Sequence, residues 1–490
     1  MMDTSVSAIL GDALGGWSLG MEFLGNSPSE VAEGHDYHPE PLALSVNAGS
    51  SSLKISLYAV HSHEFVLGVD PVALLLTSSI SNISAPPARF SFKVANADGI
   101  VSKQATDVKD EPVDSITDHA SAFAHFLDYL KQEANIDRER IQRICHRVVH
   151  GGNYSDPVII SDASFHHIER LSDLAPLHNG AALSVIKACI ANIPSAQSIA
   201  YFDTAFHRPM PAHISSYAIN QTIAKKRGLK KYGFHGLVLP SELNLIVLHL
   251  GSGASACAIK EGKSLDTSMG LTPLNGLPGA TRAGAIDPSL IFHYTNKAGK
   301  ITHDRKSAVQ LHVTEVRPPA YMLKADCIDA YLSTYRQNTS STPNRGGRPS
   351  RAPRLRTGHR KADLSSDPDY ENNPNRLAFD LLIDRIVDYV GGYYLKLNGE
   401  SMRWFLRGHW ERSKEVRQVI GGKMACLGFE AVDEEKNEGI DVSEGVVVDL
   451  GAGRPNGDVV GKKGKKLLVC RTDEQLEMAR ECALAKKFWE

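Results

Sequence analysis

Residues 45–57 read Ser-Val-Asn-Ala-Gly-Ser-Ser-Ser-Leu-Lys-Ile-Ser-Leu, and residues 249–256 read His-Leu-Gly-Ser-Gly-Ala-Ser-Ala. Each is a turn of small residues between apolar runs. Leu42, Leu44 and Val46 lead into the first, and Leu53, Ile55 and Leu57 alternate out of it. This pattern predicts a strand, a tight turn and a second strand. Glycine and serine let backbone N–H groups approach an anion closely, and the hydroxyls add donors. Either turn alone reads as an ordinary hairpin. Two of them, with the motifs below, suggest two half-sites closing on one phosphate chain.

At 490 residues the chain is too long for one small core, so two domains are expected. A formal net charge of −2 argues against a general nucleic-acid or membrane-surface role. The seven cysteines are odd in number, irregularly spaced and without a CxxC pair. They indicate neither a disulfide framework nor a zinc site, and reduced thiols in a cytoplasmic protein are expected. No apolar run reaches the roughly 18 residues that a membrane helix needs. The first basic residue is Lys54, unlike a secretory signal or a mitochondrial presequence.

Along the chain, residues 1–40 read as an N-terminal extension. Residues 41–200 read as an α/β domain completed by 466–490, and 201–302 with 371–465 as a second α/β domain. Phe123, Phe126, Leu127 and Leu130 have helical spacing. Residues 197–202 and 243–250 read as buried strands. A long helix is expected over 377–397, interrupted at Gly391-Gly392. A last strand follows at 466–470, then a helix from Glu474 to Lys487 capped by Asp473. Residues 303–370 read as an irregular basic insert. Arg345 to Lys361 holds seven basic residues in seventeen, no acid, and prolines at 349 and 353.

Five further stretches carry chemistry. Cys-His-Arg-Val-Val-His-Gly-Gly at 145–152 ends an apolar segment in His146, Arg147 and His150. Leu-Ala-Pro-Leu-His-Asn at 174–179 places His178 after a proline, and Tyr-Phe-Asp-Thr-Ala-Phe-His at 201–207 ends a strand in Asp203. Tyr-Gly-Phe-His-Gly at 232–236 presents His235 between glycines, and Ala-Thr-Arg-Ala-Gly-Ala-Ile-Asp-Pro at 280–288 carries Arg282. Two arginines, two histidines and an aspartate at loops suggest a site built for anions.

Val-Asn-Ala-Gly-Ser-Ser-Ser-Leu-Lys at 46–54, His-Arg-Val-Val-His-Gly-Gly at 146–152, Phe-Asp-Thr-Ala-Phe-His at 202–207, Tyr-Gly-Phe-His-Gly at 232–236 and Asp-Thr-Ser-Met-Gly at 266–270 resemble the acetate kinase family in type and order, over about 42–300 and 374–490. The resemblance implies an α/β, actin-like and sugar-kinase-like (ASKHA) fold, with two duplicated domains and an interdomain cleft. It implies Mg²⁺-dependent reversible phosphoryl transfer between ATP and acetate, in a homodimer with neither nucleic-acid nor membrane partners. Residue by residue, it implies that Asn47 and Glu474 organise Mg²⁺, and that Lys54 and Ser50 to Ser52 approach the phosphates. Arg147 would hold the acetate carboxylate, while Arg282, His178 and His235 stabilise the phosphoryl group in flight. His249, Leu250, Gly251, Ser252 and Gly253 would cradle the nucleotide phosphates. The family's nucleoside loop aligns with Arg407 to Arg412, which brings in Gly408 and Glu411.

Asp203 corresponds to the family's proposed acid/base residue. Acetate, with a carboxyl pKa of roughly 4–5, is already ionised near neutrality, so orienting Arg147 is the more economical role. Other readings remain at this point: a catalytically impaired relative, a kinase for propionate or butyrate, or one that uses pyrophosphate. One methylene separates acyl chains by only about 1–3 kcal/mol in a pocket.

Overall fold

The computed structural model describes residues 40–64, 66, 69–95, 106–172, 176–236, 243–251, 253–279, 282–288, 290, 374–400, 403–407, 413–440, 447–452, 465–470 and 473–490. The N-terminal extension up to residue 39, the segment 237–242 and the basic insert lie outside them.

The two glycine turns each open a sheet. In the first, β1 (Leu42–Ala48), β2 (Ser52–Val60) and β3 (Val72–Ser81) run antiparallel, with Leu53, Ile55 and Leu57 buried as the alternation predicts. Outside β3 lie β4 (Ala88–Val94) and β5 (Val108–Val113). On the other side, β6 (Ile141–Val148) is parallel to β1 and β8 (Gln197–Phe202) is parallel to β6. The edge strand β7 (Val158–Ile159) is antiparallel.

The second sheet repeats this plan. Its strands β9 (Leu245–Leu250), β10 (Ala254–Lys260) and β11 (Lys263–Thr267) are antiparallel. Then β12 (Arg403–Arg407) is parallel to β9, β14 (Lys466–Cys470) is parallel to β12, and β13 (Val447–Asp449) is the antiparallel edge. Three antiparallel strands, two parallel ones and an antiparallel edge therefore occur twice in the same order. This is the duplication expected from the two hairpins.

Helices cover the sheets where the apolar spacing puts them. Helix α1 (His119–Gln132) starts at a capping box between Asp118 and Ser121, and buries Phe123, Phe126, Leu127 and Leu130. Helix α2 (Pro176–Asn192) adds Val185 and Cys189 to the same core. Helix α3 (Pro374–Lys396) runs unbroken through Gly391-Gly392, contrary to the expected interruption. Glycine costs a helix about 1 kcal/mol. Leu382, Ile386 and Val390 before the pair, with Tyr393 and Leu397 after it, are all buried in the second core, which outweighs that cost.

The C-terminal boundary also differs from expectation. β14 does not complete the first domain, because it pairs with β12 and β13 in the second sheet. Only the chain from Asp473 onward returns to the first sheet. There Asp473 accepts from Gln475 N and Leu476 N and caps α4 (Glu474–Leu484). α4 packs Met478, Ala479, Cys482 and Ala483 against residues that include Ala43, Tyr58, Cys145 and Tyr201. Ser45 Oγ donates to Gln475 O (2.8 Å) and Gln475 Nε2 donates to Ser45 O (3.1 Å), which fixes the first turn of α4 against β1.

Candidate active site

Ligands of parallel α/β sheets gather at the carboxyl ends of the strands. Here β1 ends in Asn47-Ala48, β6 in Arg147-Val148, and Asp203 follows β8. The order β1-β6-β8 therefore sets three polar side chains side by side, and the first residue of α4 adds Glu474.

The four form one network around Arg147. Its Nε donates to Asp203 Oδ1 (2.8 Å), its Nη2 to Asp203 Oδ2 (2.6 Å) and its Nη1 to Asn47 Oδ1 (3.2 Å). Glu474 Oε2 lies 3.3 Å from Arg147 Nε and accepts from Asn47 Nδ2 at 3.1 Å. The Asp203 side chain is 1% exposed, and those of Arg147 and Glu474 are 17% and 16% exposed. A guanidinium carries five N–H donors. These bonds occupy three, which leaves one N–H on each terminal nitrogen.

Electrostatics follow from burial and pairing. Burial works against the Arg147 charge, but Asp203 and Glu474 outweigh it and hold the guanidinium above its ordinary value. Burial pushes the Asp203 carboxyl above its ordinary value, against the pull of Arg147.

The second half-site faces this network. Gly251 N donates to Gly253 O (3.0 Å) and closes the turn after β9. Arg282 lies over that turn. A Cβ at residue 253 would come within 2.9 Å of Arg282 Nη1, so a side chain there would shift the guanidinium. Arg282 Nη1 also donates to Pro273 O (3.2 Å). Burial lowers the Arg282 guanidinium, repulsion from Arg147 adds to this, and Asp203 opposes it.

His235 joins the two halves. It sits at φ 64°, bonds through Nδ1 to Ser255 Oγ (3.0 Å) and stacks on His249 with ring centroids 4.2 Å apart. Gly236 N donates to Asp203 O (3.0 Å), and a Cβ there would lie 2.5 Å from that oxygen. The glycine after His235 is therefore what lets this loop rest on the Asp203 backbone.

The structure thus brings together Asn47, Arg147, Asp203 and Glu474, and separately His235, His249, Gly251, Gly253 and Arg282. Leu250 is buried at the end of β9. Lys54 is not at the tip of the first turn. It lies exposed on β2, opposite Asn47. In that turn Gly49 N donates to Ser52 O (2.8 Å), while Ser51 Oγ accepts from Ser84 N (3.2 Å) and serves the scaffold. His178 lies in the first turn of α2, with its side chain outside the described residues. Ser252, Gly408 and Glu411 also lie outside them.

Three supporting residues carried no role in the sequence reading. Asn179, fully buried, accepts from His150 N and donates to His150 O, both at 3.0 Å, and so ties α2 to the loop after β6. Thr204 Oγ1 accepts from Gly151 N (3.1 Å). His207 holds Phe234 O (2.9 Å) and Ser264 Oγ (2.8 Å), and burial brings its ring down to about 4, so it is neutral near pH 7. Asn179 and His207 stand inside stretches quoted above, but strand order was needed to see what they hold.

Among the described residues no group of three or more His, Cys, Asp or Glu side chains could hold a metal ion. A carboxylate and a carboxamide at the mouth, Glu474 and Asn47, still fit a small hard cation. Mg²⁺ takes one or two carboxylates, keeps several waters and shares the substrate's phosphates. No helix among the described residues is long and apolar enough to cross a membrane.

Comparison with known proteins bears on this geometry. The profile of the acetokinase family matches residues 42–312. A probable acetate kinase of Emericella nidulans is 41% identical over 466 residues, which span 91% of this chain and 98% of that protein. A probable acetate kinase of Chaetomium globosum is 39% identical over 468 residues, with the same shares. The crystal structure of a propionate kinase from Francisella tularensis superposes with a TM-score of 0.65 at 27% identity, over 90% of this chain and 98% of that one.

Proposed function

The chain belongs to the acetokinase family, and from that premise we propose that it transfers the γ-phosphoryl group of ATP reversibly to acetate, giving acetyl phosphate and ADP. The observation that carries this reading is the guanidinium of Arg147. Asp203 and Asn47 lock it, one N–H on each terminal nitrogen is left for a carboxylate, and Arg282 is near enough to feel its charge.

This pair of N–H groups suits a carboxylate, because a planar fork meets both oxygens. Acetate held there is already an anion, so attack on phosphorus needs no base. Asp203 keeps Arg147 in place and takes no proton. As the phosphoryl group moves, negative charge spreads over its three equatorial oxygens, and catalysis rests on alignment and positive charge. Arg282 and His235 supply donors from the side of the second turn, with Ser255 fixing the imidazole ring. The resemblance gives the same role to His178, in the first turn of α2. Gly251 and Gly253 let the nucleotide phosphates approach backbone N–H groups. Asn47 and Glu474 would hold Mg²⁺, which when bound neutralises charge on the β- and γ-phosphates.

The test is trapping of acetyl phosphate as the hydroxamate with purified protein, ATP, Mg²⁺ and acetate. Turnover that Arg147→Ala abolishes is the expected result. A folded protein without turnover on acetate, propionate or butyrate would overturn the reading. Propionate belongs in the assay because a structural relative at 27% identity is a propionate kinase. A cytoplasmic homodimer goes with this proposal, to be checked by fractionation and light scattering.

A further inference from the structure

His235 holds a backbone conformation that its neighbours impose. Its φ of 64° lies in the left-handed region, which a residue with a Cβ keeps only where the surroundings enforce it. Three bonds do so. The peptide before it is held at Phe234 O, which accepts from His207 Nε2 (2.9 Å). The peptide after it is held at Gly236 N, which donates to Asp203 O (3.0 Å). Between them the backbone of His235 itself bonds the Asp203 carboxyl, and this bond works against the rise that burial causes there.

The His207 ring is itself fixed from both sides. A carbonyl oxygen only accepts, so Nε2 carries the proton and donates to Phe234 O. Nδ1 is then the acceptor, and Ser264 Oγ on β11 donates to it (2.8 Å). The hydroxyl therefore sets the tautomer. Both residues are buried, so the two bonds are shielded from water. The fit is steric as well. A Cβ on Gly233, whose φ is 75°, would lie 2.6 Å from His207 Cγ, so the ring packs directly beneath the loop.

We propose that His207, with its tautomer set by Ser264, is a positioning residue that aims the His235 imidazole at the phosphoryl group by holding the carbonyl of Phe234. This rests on the role given to His235 above. Asp203 and His207 belong to one short stretch, the end of β8 and the 3₁₀ turn Ala205–His207 that follows it. One end of the stretch orders Arg147 through a carboxylate, and the other orders His235 through a carbonyl. Ser264 lies in the second sheet, so its bond to His207 ties this stretch to the half of the molecule that carries Arg282. The acceptor's anchor and the imidazole are thereby set in register with each other.

The experiment uses the full chain with histidines ¹³C-labelled at Cε1, and the His235 signal is identified by its loss in His235→Ala. His207→Leu removes both bonds, His207→Gln returns an N–H donor near the place of Nε2, and Ser264→Ala removes only the hydroxyl. The expected result is a displaced His235 signal in His207→Leu, a smaller displacement in Ser264→Ala and a position near the parent's in His207→Gln. In hydroxamate formation, His207→Leu should lower kcat about 10- to 10²-fold, the cost of a small misplacement, with the acetate KM within about threefold of the parent's. His207→Gln should recover most of that loss, and His207→Leu should cost nothing further in a His235→Ala background. An unmoved His235 signal in His207→Leu and Ser264→Ala, equal losses in the leucine and glutamine variants, or an acetate KM raised as much as kcat falls would overturn the proposal. The signal is read without substrate, so it decides the positioning role even where the parent does not turn over acetate. Ser264→Ala decides it where His207→Leu does not fold.

Discussion

Replacing Arg147 by lysine keeps the charge and removes the fork, so it isolates geometry from electrostatics. Arg147 spends two nitrogens on Asp203 and part of a third on Asn47, and its remaining N–H groups are the proposed anchor for acetate. Lysine has three donors on one atom. Satisfying Asp203 and Asn47 or Glu474 consumes them and leaves no planar edge. Two charge-assisted hydrogen bonds to the acetate carboxylate are at stake, worth about 1.5–3 kcal/mol each. If the ammonium's residual attraction recovers about half, the net loss is about 1.5–3 kcal/mol. At 1.36 kcal/mol per tenfold this is roughly 10- to 10²-fold in kcat/KM for acetate. The assay is hydroxamate formation at varied acetate with saturating ATP. The ATP KM should move less than about threefold, because the lost contact is to the acceptor. The melting temperature should stay close to the parent's, since the lysine charge leaves Asp203 paired. A variant within about threefold of the parent for acetate, or one losing acetate and ATP affinity equally, would refute Arg147 as the acceptor's anchor.

Other expectations follow from the same geometry. Arg282→Ala should cost on the order of 10²–10³ in kcat with little change in acetate KM, because its proposed contact strengthens as charge develops; steady-state kinetics decide this, and an unchanged kcat counts against it. Gly253→Ala places a Cβ 2.9 Å from Arg282 Nη1 and should lower kcat about tenfold by displacing the guanidinium, with the Arg282→Ala background showing no further loss. Glu481, pushed by burial from 4.5 to about 7, holds a proton in the folded chain that the unfolded chain releases. Its contribution to stability is complete below about pH 4.5 and lost as pH rises through about 7, by roughly 2–3 kcal/mol. Glu481→Gln should flatten this part of the stability profile in urea titrations between pH 5 and 8, and an identical profile in the variant would count against the burial argument.

Hairpins, buried strands and amphipathic helices were legible because each is a local pattern. The alternation of Leu53, Ile55 and Leu57, and the spacing of Phe123, Phe126, Leu127 and Leu130, need no partner to be read. The network around Arg147 was legible only as a set of residue types. Asn47 and Glu474 are 427 positions apart, and nothing local says that α4 returns to β1. The strand at 466–470 shows the same limit. Its existence is local, but its sheet is decided by pairing with β12. At Gly391-Gly392 a local penalty of about 1 kcal/mol per residue lost to a buried stripe on both sides. Lys54 sits in a glycine-serine motif, yet register places it on β2 opposite Asn47 rather than at the tip of the turn.

The repeated topology also gives a reason why the site needs both halves. The first sheet contributes Arg147 and the second half contributes Arg282. Burial works against both charges; Arg147 is nevertheless held above its ordinary value, while Arg282 is lowered, with Arg147 adding to the effect. Asp203 and Glu474 compensate Arg147 directly, whereas Arg282 is held over its glycine turn by a backbone carbonyl. A polyanion entering between the two turns offsets the repulsion that burial makes costly. On the proposed mechanism the phosphoryl group in transit would carry its charge on oxygens near both arginines, and this relief would be greatest partway through transfer. Two cations with one dedicated counter-ion network between them would then favour the transition state over either bound substrate, which is the condition for binding energy to appear as rate.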